Sequence, residues 1–134
     1  MITCRQLQRF RKGKQIVDLR FILPIVKLKP YKPLYQFIGN TISLINDDRS
    51  ACINSLEVVP NMRKNGYGKD LMNLTEVVLR EEGVTQVTLA AYDYKQGSLV
   101  KYYQSLGYTI DTNIDQVYDD GETIYDITLM RKRI

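Results

Sequence analysis

A glycine-bearing turn has the residue types and the position needed to bind a phosphate. Residues 53–60 are mostly apolar, as in a strand, and residues 69–82 repeat apolar side chains at helical spacing. Between them stands Arg63-Lys64-Asn65-Gly66-Tyr67-Gly68. The first N–H groups of a helix have no partner inside the helix and lie at the positive end of its dipole, so phosphate oxygens bind there. Gly66 and Gly68 carry no Cβ, so a ligand could approach the backbone closely.

Two common phosphate-binding motifs do not fit this turn. A Walker A loop needs Gly-Lys followed by Ser or Thr, and another glycine five residues before the second one. Here Asp70 follows Lys69, and position 63 is arginine. A dinucleotide fingerprint needs a third glycine, and Leu71 stands in its place. With both motifs excluded, a plain strand–turn–helix corner is the alternative to a phosphate site.

A third motif, Arg/Gln-x-x-Gly-x-Gly/Ala, is matched at every defined position by Arg63, Gly66 and Gly68. This motif holds the pyrophosphate of acetyl-coenzyme A (acetyl-CoA) in the GNAT N-acetyltransferase family, and the chain resembles that family here. A second segment, residues 99–108, resembles the family's later helix, which carries a tyrosine and ends in Leu-Gly-aromatic. Together with the strand between them, the two segments span residues 53–108.

The resemblance implies an α/β (mixed α+β) fold, with a central mixed, mostly antiparallel sheet flanked by helices. Two neighbouring parallel strands of such a sheet splay apart and leave a wedge for the pantetheine arm of the cofactor. We expect a single domain over residues 1–134. The implied activity is transfer of an acetyl group from acetyl-CoA, as co-substrate, to a primary amine by direct transfer in a ternary complex. No metal ion is required for it.

The resemblance assigns much of the cofactor site to the main chain. Leu56 and Val58, on the first strand of the wedge, would pair with pantetheine like an added strand, with the Val58 N–H near the thioester carbonyl. The turn would bind the pyrophosphate through N–H groups and basic side chains. Its residues are Arg63, Lys64, Asn65, Gly66, Tyr67, Gly68 and Lys69. Gln96, which replaces an asparagine common in the family, and Ser98 complete the predicted cofactor contacts.

Tyr103 is the predicted general acid. It stands four residues before Gly107, where the family commonly has a tyrosine that protonates the departing thiolate. A phenol with a pKa of about 10 suits that step. The alternative is a core aromatic residue, since the chain has 10 tyrosines and both Tyr102 and Tyr108 are close by.

No side chain stands out as the general base that removes a proton from the amine. The chain contains no histidine, the commonest such base, and this also argues against a zinc site. Glu57, on the cofactor-binding strand, is the candidate base, acting directly or through a water molecule. The alternative is that Glu57 points away and pairs with a surface lysine. Tyr92 and Asp93, just past the next strand, are further candidates.

Composition is that of an ordinary globular chain, 44% hydrophobic and 25% charged. Cys4 and Cys52 lack the spacing of a metal site and indicate reduced thiols in an intracellular protein. Residues 21–26 are apolar, but Pro24 interrupts them and they fall far short of the ~20 residues that a membrane span needs. With a polar, basic start and no signal peptide, the protein is expected in the cytoplasm, away from membranes.

Charge is distributed unevenly along a chain of net charge +4. Basic residues dominate up to Lys32, and acidic residues dominate from Glu81 to Asp126. The basic front could bind nucleic acid together with Tyr31 and Tyr35, although a solvated face is the simpler interpretation and no nucleic-acid-binding motif is present. The resemblance implies that the last predicted hairpin lies near the acceptor end of the wedge, where acidic residues could attract a polycationic acceptor, such as a polyamine or a basic peptide. These acidic residues are Asp111, Asp115, Asp119, Asp120 and Glu122. The alternative is a solvated acidic turn.

Two other functions compete with N-acetyl transfer. One is a non-catalytic domain that binds acyl-CoA, and the tyrosine at position 103 argues mildly against it. The other is the nucleic-acid-binding module suggested by the basic front. The C-terminal hairpin could also pair between two copies of the chain, so a homodimer is one predicted assembly.

Hydrophobic periodicity and turn residues predict three or four strands, a helix, a strand, a helix and two strands, in that order. We expect one or two helices within residues 8–29, around 15–22, and a hairpin turn at Gly39-Asn40. A second hairpin turn is expected around residues 119–121. The predicted strands are 2–7, 34–38, 41–45, 51–59, 87–91, 108–114 and 123–130, and the predicted helices are 69–82 and 98–106.

Overall fold

Hairpins and one parallel crossover build a seven-stranded sheet. The computed structural model describes residues 3–11, 15–25, 34–93, 97–114 and 126–134. The strands are β1 (Thr3–Arg11), β2 (Gln15–Ile25), β3 (Leu34–Ile45), β4 (Ser50–Val58), β5 (Gln86–Asp93), β6 (Thr109–Ile114) and β7 (Asp126–Arg133). The helices are α1 (Tyr67–Glu81) and α2 (Ser98–Ser105), with a short 3₁₀-helix at Pro60–Met62. The strands lie in the order β1-β2-β3-β4-β5-β7-β6, and among these described strands only β4 and β5 pair in parallel. This confirms the predicted mixed, mostly antiparallel sheet with flanking helices.

The helix predicted in the N-terminal region is instead strand β2. Val17, Leu19 and Phe21 are fully buried and alternate with Asp18 and Arg20. Successive side chains of a strand point to opposite faces, so this alternation is the pattern of a half-buried strand. β2 pairs antiparallel with both β1 and β3, and the hairpin of β1 and β2 therefore extends the sheet on this side.

The predicted hairpin turn at Gly39-Asn40 is also wrong, because β3 runs through both residues. Gly39 lies opposite Val58 of β4, and a Cβ on Gly39 would stand 2.0 Å from the main-chain oxygen of Glu57. No other residue leaves room for that approach. Glycine is therefore required at position 39 by the close packing of β4 against β3, at the end of β4 that leads to the glycine-bearing turn.

β4 and β5 separate after a short stretch of parallel pairing. Their register runs from Ser50 opposite Gln86 to Ile53 opposite Leu89, while β4 continues to Val58 and β5 to Asp93. Beyond this point β5 stays paired with β7 on its other side, up to Asp93 opposite Asp126. The main chain of the last part of β4 thus faces a gap in the sheet, which is the splayed pair of parallel strands expected from the sequence.

Both helices pack on one hydrophobic core. Leu71, Met72 and Leu79 of α1 are fully buried, and Leu99 and Val100 of α2 pack against the same cluster. Their common core places α1 and α2 on the same side of the gap between β4 and β5. The two helices therefore form walls for any ligand that enters there.

Asp93, at the end of β5, caps helix α2. Its carboxylate is buried, with 4% of the residue exposed. One oxygen accepts a hydrogen bond from the Leu99 N–H at 2.8 Å, and the other accepts one from the Val100 N–H at 3.0 Å. Such bonds satisfy N–H groups that the first turn of a helix leaves unpaired. Both oxygens of Asp93 are engaged, so this residue, a candidate base in the sequence, serves to start α2.

Neither of the two described helices is long and apolar enough to cross a membrane. Within the described ranges, no three acidic or cysteine side chains come together as a metal site would require.

Candidate functional site

A cleft of about 690 Å³ opens where β4 leaves β5 and lies between α1 and α2. Most of the residues predicted from the sequence line it. These are Leu56, Glu57, Val58, Arg63, Lys64, Gly66, Tyr67, Gly68, Lys69 and Tyr103. Two stretches far apart in the chain, the turn before α1 and the tyrosine of α2, thus meet at one site.

Two predicted contacts, Asn65 and Ser98, are not among the residues that line the cleft, and the position of a third is not described. Asn65 is exposed and donates hydrogen bonds from Nδ2 to the main-chain oxygens of Met62 and Arg63, at 3.1 and 3.2 Å. It holds the shape of the turn. Ser98 is the exposed first residue of α2 and is not among the lining residues. Gln96 lies outside the residues that the structure describes.

The turn before α1 presents an open helix N-terminus. Gly66 is the N-cap residue and adopts a left-handed conformation with φ of 78°, and no side chain caps the first turn. Lys64 also has a positive φ, of 65°. A Cβ built on Gly66 would meet nothing within 4 Å, so the space in front of this turn is clear. The N–H groups at the start of α1 are therefore available to an anion.

Along the last part of β4, the main-chain N–H and C=O groups point alternately toward β3 and into the gap. The Val59 N–H donates to the Ile38 oxygen of β3 at 2.9 Å. Because every second residue of a strand directs its N–H and C=O to the same neighbour, Glu57 also faces β3, and Leu56 and Val58 face the gap. The predicted pairing of a ligand with Leu56 and Val58 is thus geometrically open on this edge.

Arg63 links the turn to the end of β4. Its Nε donates to the main-chain oxygen of Val58 at 3.0 Å. This bond occupies the Val58 carbonyl but leaves the Val58 N–H directed into the gap. It also anchors the Arg63 side chain, which lines the cleft, at the end of β4.

Two adjacent tyrosines line the cleft, whereas the sequence predicted one. The rings of Tyr102 and Tyr103 meet edge to face at 5.4 Å between centroids, and the rings of Tyr103 and Tyr108 do so at 6.0 Å. Burial raises the pKa of the Tyr102 phenol. Burial and, to a smaller extent, the neighbouring Tyr102 raise the pKa of the Tyr103 phenol. Both hydroxyls therefore stay protonated at neutral pH and can act as hydrogen-bond or proton donors.

The Glu57 side chain lies on the other face of the sheet from Leu56 and Val58. Those two residues pack against the core beneath α1, and side chains alternate along a strand. Glu57 is exposed, borders the cleft and stands opposite Asn40 of β3. Its carboxylate is therefore placed to meet a molecule that reaches the gap from the face without α1.

Sequence reasoning missed several residues that complete the walls of the cleft. They are Phe37, Val59, Pro60, Met62, Leu99 and Tyr102. Phe37 comes from β3 and is 44% exposed, which is high for a phenylalanine. An apolar residue in a strand gives no local sign that it faces a cleft. Tyr102 could have been found, since it adjoins Tyr103 in the motif.

The residues that line the cleft lie within a segment that matches a known protein family. The sequence matches the model of the acetyltransferase (GNAT) family over residues 32–108, more than half of the chain. A search of the curated proteins gives no significant match. The segment matched by the family model contains β3, β4, the turn, α1 and α2, which supply the residues that line the cleft.

Solved structures share the fold. The chain is similar to the ribosomal-protein-S18-alanine N-acetyltransferase from Escherichia coli, at 17% identity and a TM-score of 0.69, covering 89% of this chain and 69% of that one. It is similar to the spermidine N-acetyltransferase from Vibrio cholerae in complex with CoA and spermine, at 16% identity and a TM-score of 0.68, covering 87% and 65%. It is also similar to an acetyltransferase from Bacillus subtilis in complex with CoA, at 13% identity and a TM-score of 0.63, covering 91% and 78%. The family match over most of the cleft-forming sequence, on a fold of this kind, shows that the chain belongs to the GNAT acetyltransferase family.

Proposed function

We propose that this protein is an N-acetyltransferase that moves the acetyl group of acetyl-CoA to a primary amine by direct transfer in a ternary complex. One observation carries the proposal. The open edge of β4 beyond Ile53 and the uncapped N-terminus of α1 at Gly66 border a single cleft. An open strand edge can pair with the amides of pantetheine, and a helix N-terminus can bind a pyrophosphate. GNAT acetyltransferases use acetyl-CoA, which contains both groups.

The cofactor would be held mainly by main-chain groups. Leu56 and Val58 direct their main chain into the gap and are suited to the pantetheine arm. The Val58 N–H would polarise the thioester carbonyl, because it can donate to the oxygen on which charge develops. The N–H groups at the start of α1 would bind the pyrophosphate, and Arg63, Lys64 and Lys69 would add positive charge at the rim.

Acetyl transfer then needs one proton removed and one supplied. The neutral amine attacks the thioester carbon, a C–N bond forms, and the C–S bond breaks with its electron pair going to sulfur. Tyr103 would protonate the departing thiolate, since its phenol lines the cleft and its pKa is raised by burial. The proton that the amine loses balances the proton that the thiol gains.

Glu57 would accept the proton of the amine, directly or through water. Its exposed carboxylate borders the cleft on the face without α1, so an acceptor arriving there would meet Glu57 before it meets the thioester. In this arrangement cofactor and acceptor approach the gap from opposite faces, which permits a ternary complex. No cysteine is among the residues that line the described cleft, which is in keeping with direct transfer and not with an acetylated cysteine intermediate.

A polycationic acceptor remains a specific hypothesis. The V. cholerae neighbour is named as a spermidine N-acetyltransferase. In this chain Asp111 lies 3.7 Å from the Nε of Arg131, so its charge is partly compensated. Asp115, Asp119, Asp120 and Glu122 lie outside the described residues.

The experiment is a CoA-release screen over an amine panel, with the acetylated product identified by mass spectrometry. The panel contains a polyamine, a lysine peptide, a peptide with a free N-terminus, an aminoglycoside and a neutral small amine. Product formation by the wild-type protein and its loss in Tyr103→Phe would support the proposal. Tight acetyl-CoA binding without turnover on any amine would favour the non-catalytic acyl-CoA-binding alternative.

A further inference from the structure

The second glycine of the motif stands against a tyrosine of α2. A Cβ built on Gly68 would lie 2.7 Å from the Tyr102 hydroxyl oxygen and 4.0 Å from Cγ2 of Val58. Gly68 belongs to the first turn of α1 and has no positive φ, so its backbone could carry any L residue. The absence of a side chain at position 68 therefore serves the approach of the Tyr102 hydroxyl to the start of α1.

The Tyr102 hydroxyl has no hydrogen-bond partner among the described residues. Its ring is half-buried, packs on the core and meets Tyr103 edge to face, which restricts its motion. Tyr102 nevertheless borders the cleft. A phenol held in this way at the end of a helix is a fixed donor without a protein acceptor, and a ligand can supply the acceptor.

The position of the hydroxyl indicates which part of a ligand it meets. It lies against the first turn of α1, where unpaired N–H groups and the helix dipole favour an anion. A neutral O–H donor beside those N–H groups would add a hydrogen bond to the same anion. The proposed partner of the thioester sulfur is the other tyrosine, Tyr103.

We propose that Tyr102 is a cofactor-binding residue whose hydroxyl donates to the pyrophosphate of acyl-CoA at the first turn of α1, and that Gly68 is required to admit this hydroxyl. The inference rests on the proposed acyl-CoA site. It gives the two adjacent tyrosines different roles. Tyr102 binds the phosphate end of the cofactor, and Tyr103 protonates its sulfur.

Matched Tyr→Phe variants at positions 102 and 103 test these separate roles. Each keeps the ring and its packing and removes only the hydroxyl. A hydrogen bond to a charged group corresponds to an affinity change of about tenfold or more, so Tyr102→Phe should weaken acetyl-CoA binding by about that factor in calorimetry. Tyr103→Phe should leave this affinity nearly unchanged while lowering kcat.

A cofactor fragment separates the phosphate end from the rest. S-acetylpantetheine has the thioester and the pantetheine amides but no pyrophosphate. Tyr102→Phe should not change its KM as an acetyl donor, whereas the KM for acetyl-CoA should rise. An equal loss for both donors, or no loss for either, would overturn the assignment of Tyr102. Failure of the wild-type protein to bind acetyl-CoA would instead overturn the proposed function.

A double-mutant cycle tests the role of Gly68. Gly68→Ala should weaken acetyl-CoA binding in the wild-type background, because the new methyl group displaces the Tyr102 hydroxyl. In the Tyr102→Phe background the same change should have little further effect, since the hydroxyl is already absent. An equal effect in both backgrounds would mean that the methyl group obstructs the ligand itself, and would overturn this part of the inference. Thermal unfolding of all four proteins verifies that each is folded.

Discussion

Lys132 of β7 holds the buried carboxylate of Glu76 of α1, with 2.6 Å between Nζ and Oε1. The Glu76 side chain is only 4% exposed, and that of Lys132 is 25% exposed. The same ammonium donates to the main-chain oxygen of Leu106 at 2.8 Å and lies 5.6 Å from the centre of the Tyr108 ring. One side chain thus connects α1, β7 and the end of α2, and so ties together the two helices that wall the cleft.

Removal of Lys132 should destabilise the fold strongly. Lys132→Met keeps much of the side-chain volume but leaves the Glu76 carboxylate buried and unpaired, which costs about 3 kcal/mol of unfolding free energy. The double variant Glu76→Gln, Lys132→Met should recover a large part of that loss, because no buried charge remains. Urea unfolding of the three proteins measures both effects. A single variant as stable as wild type would show that the ion pair does not hold the helices.

Tyr108→Phe should leave stability unchanged or raise it slightly. The Tyr108 residue is 2% exposed, and its hydroxyl has no hydrogen-bond partner among the described residues. A buried hydroxyl without a partner opposes folding by about 1–3 kcal/mol, and phenylalanine keeps the ring. A clear loss of stability in urea unfolding would mean that this hydroxyl does have a partner.

The same variant should change the response to alkaline pH. Burial, with smaller effects from the Glu76 carboxylate and from Tyr103, raises the pKa of the Tyr108 phenol far above its usual range. The unfolded chain releases this proton at a pH of about 10, whereas the folded protein keeps it. Stability therefore falls as pH rises above about 10. In Tyr108→Phe the fall between pH 9 and 11 should be shallower; parallel curves would contradict this.

Tyr103→Phe should lower kcat by about 10²- to 10⁴-fold, as expected for loss of a general acid. The variant keeps the ring contacts with Tyr102 and Tyr108, so the KM for acetyl-CoA should change little. Because the pKa of the Tyr103 phenol is raised, the acid stays protonated and wild-type kcat should not decline from its loss below a pH of about 10. Steady-state rates from pH 7 to 10 measure both points. Unchanged turnover would reassign Tyr103 to the core.

Local patterns in the sequence were sufficient to predict most of the elements that form the cleft. The turn at Gly66 and the helix after it follow from short-range signals, namely glycines at a helix start and helical periodicity, whereas the tyrosine of α2 was predicted from the resemblance to the GNAT family. β2 also carries a short-range signal, since Val17, Leu19 and Phe21 alternate with polar residues, but the prolines nearby obscured it. A helical repeat was assumed for this segment, although the two-residue repeat of a strand was present in the sequence.

Other features depend on contacts distant in sequence. Gly39 resembles a turn residue, yet its role is set by the Glu57 oxygen of another strand. Glu76 looks like an exposed helix residue, and only Lys132, at the far end of the chain, explains its burial. The approach of Tyr102 to Gly68 likewise requires α1 and α2 to be placed in space. Sequence periodicity cannot supply such relationships, because each joins elements that pack only in the folded sheet.

A pair of variants at Gly66 tests most directly whether the turn before α1 binds the cofactor pyrophosphate. Gly66 has a positive φ, which asparagine and aspartate both tolerate better than other residues, and a Cβ built there meets nothing within 4 Å. Gly66→Asn and Gly66→Asp therefore carry a similar conformational cost and differ mainly in one negative charge. Calorimetric titration with acetyl-CoA should show Gly66→Asp binding about tenfold or more weakly than Gly66→Asn, because the carboxylate repels the pyrophosphate. Equal affinities for the two variants would contradict the account.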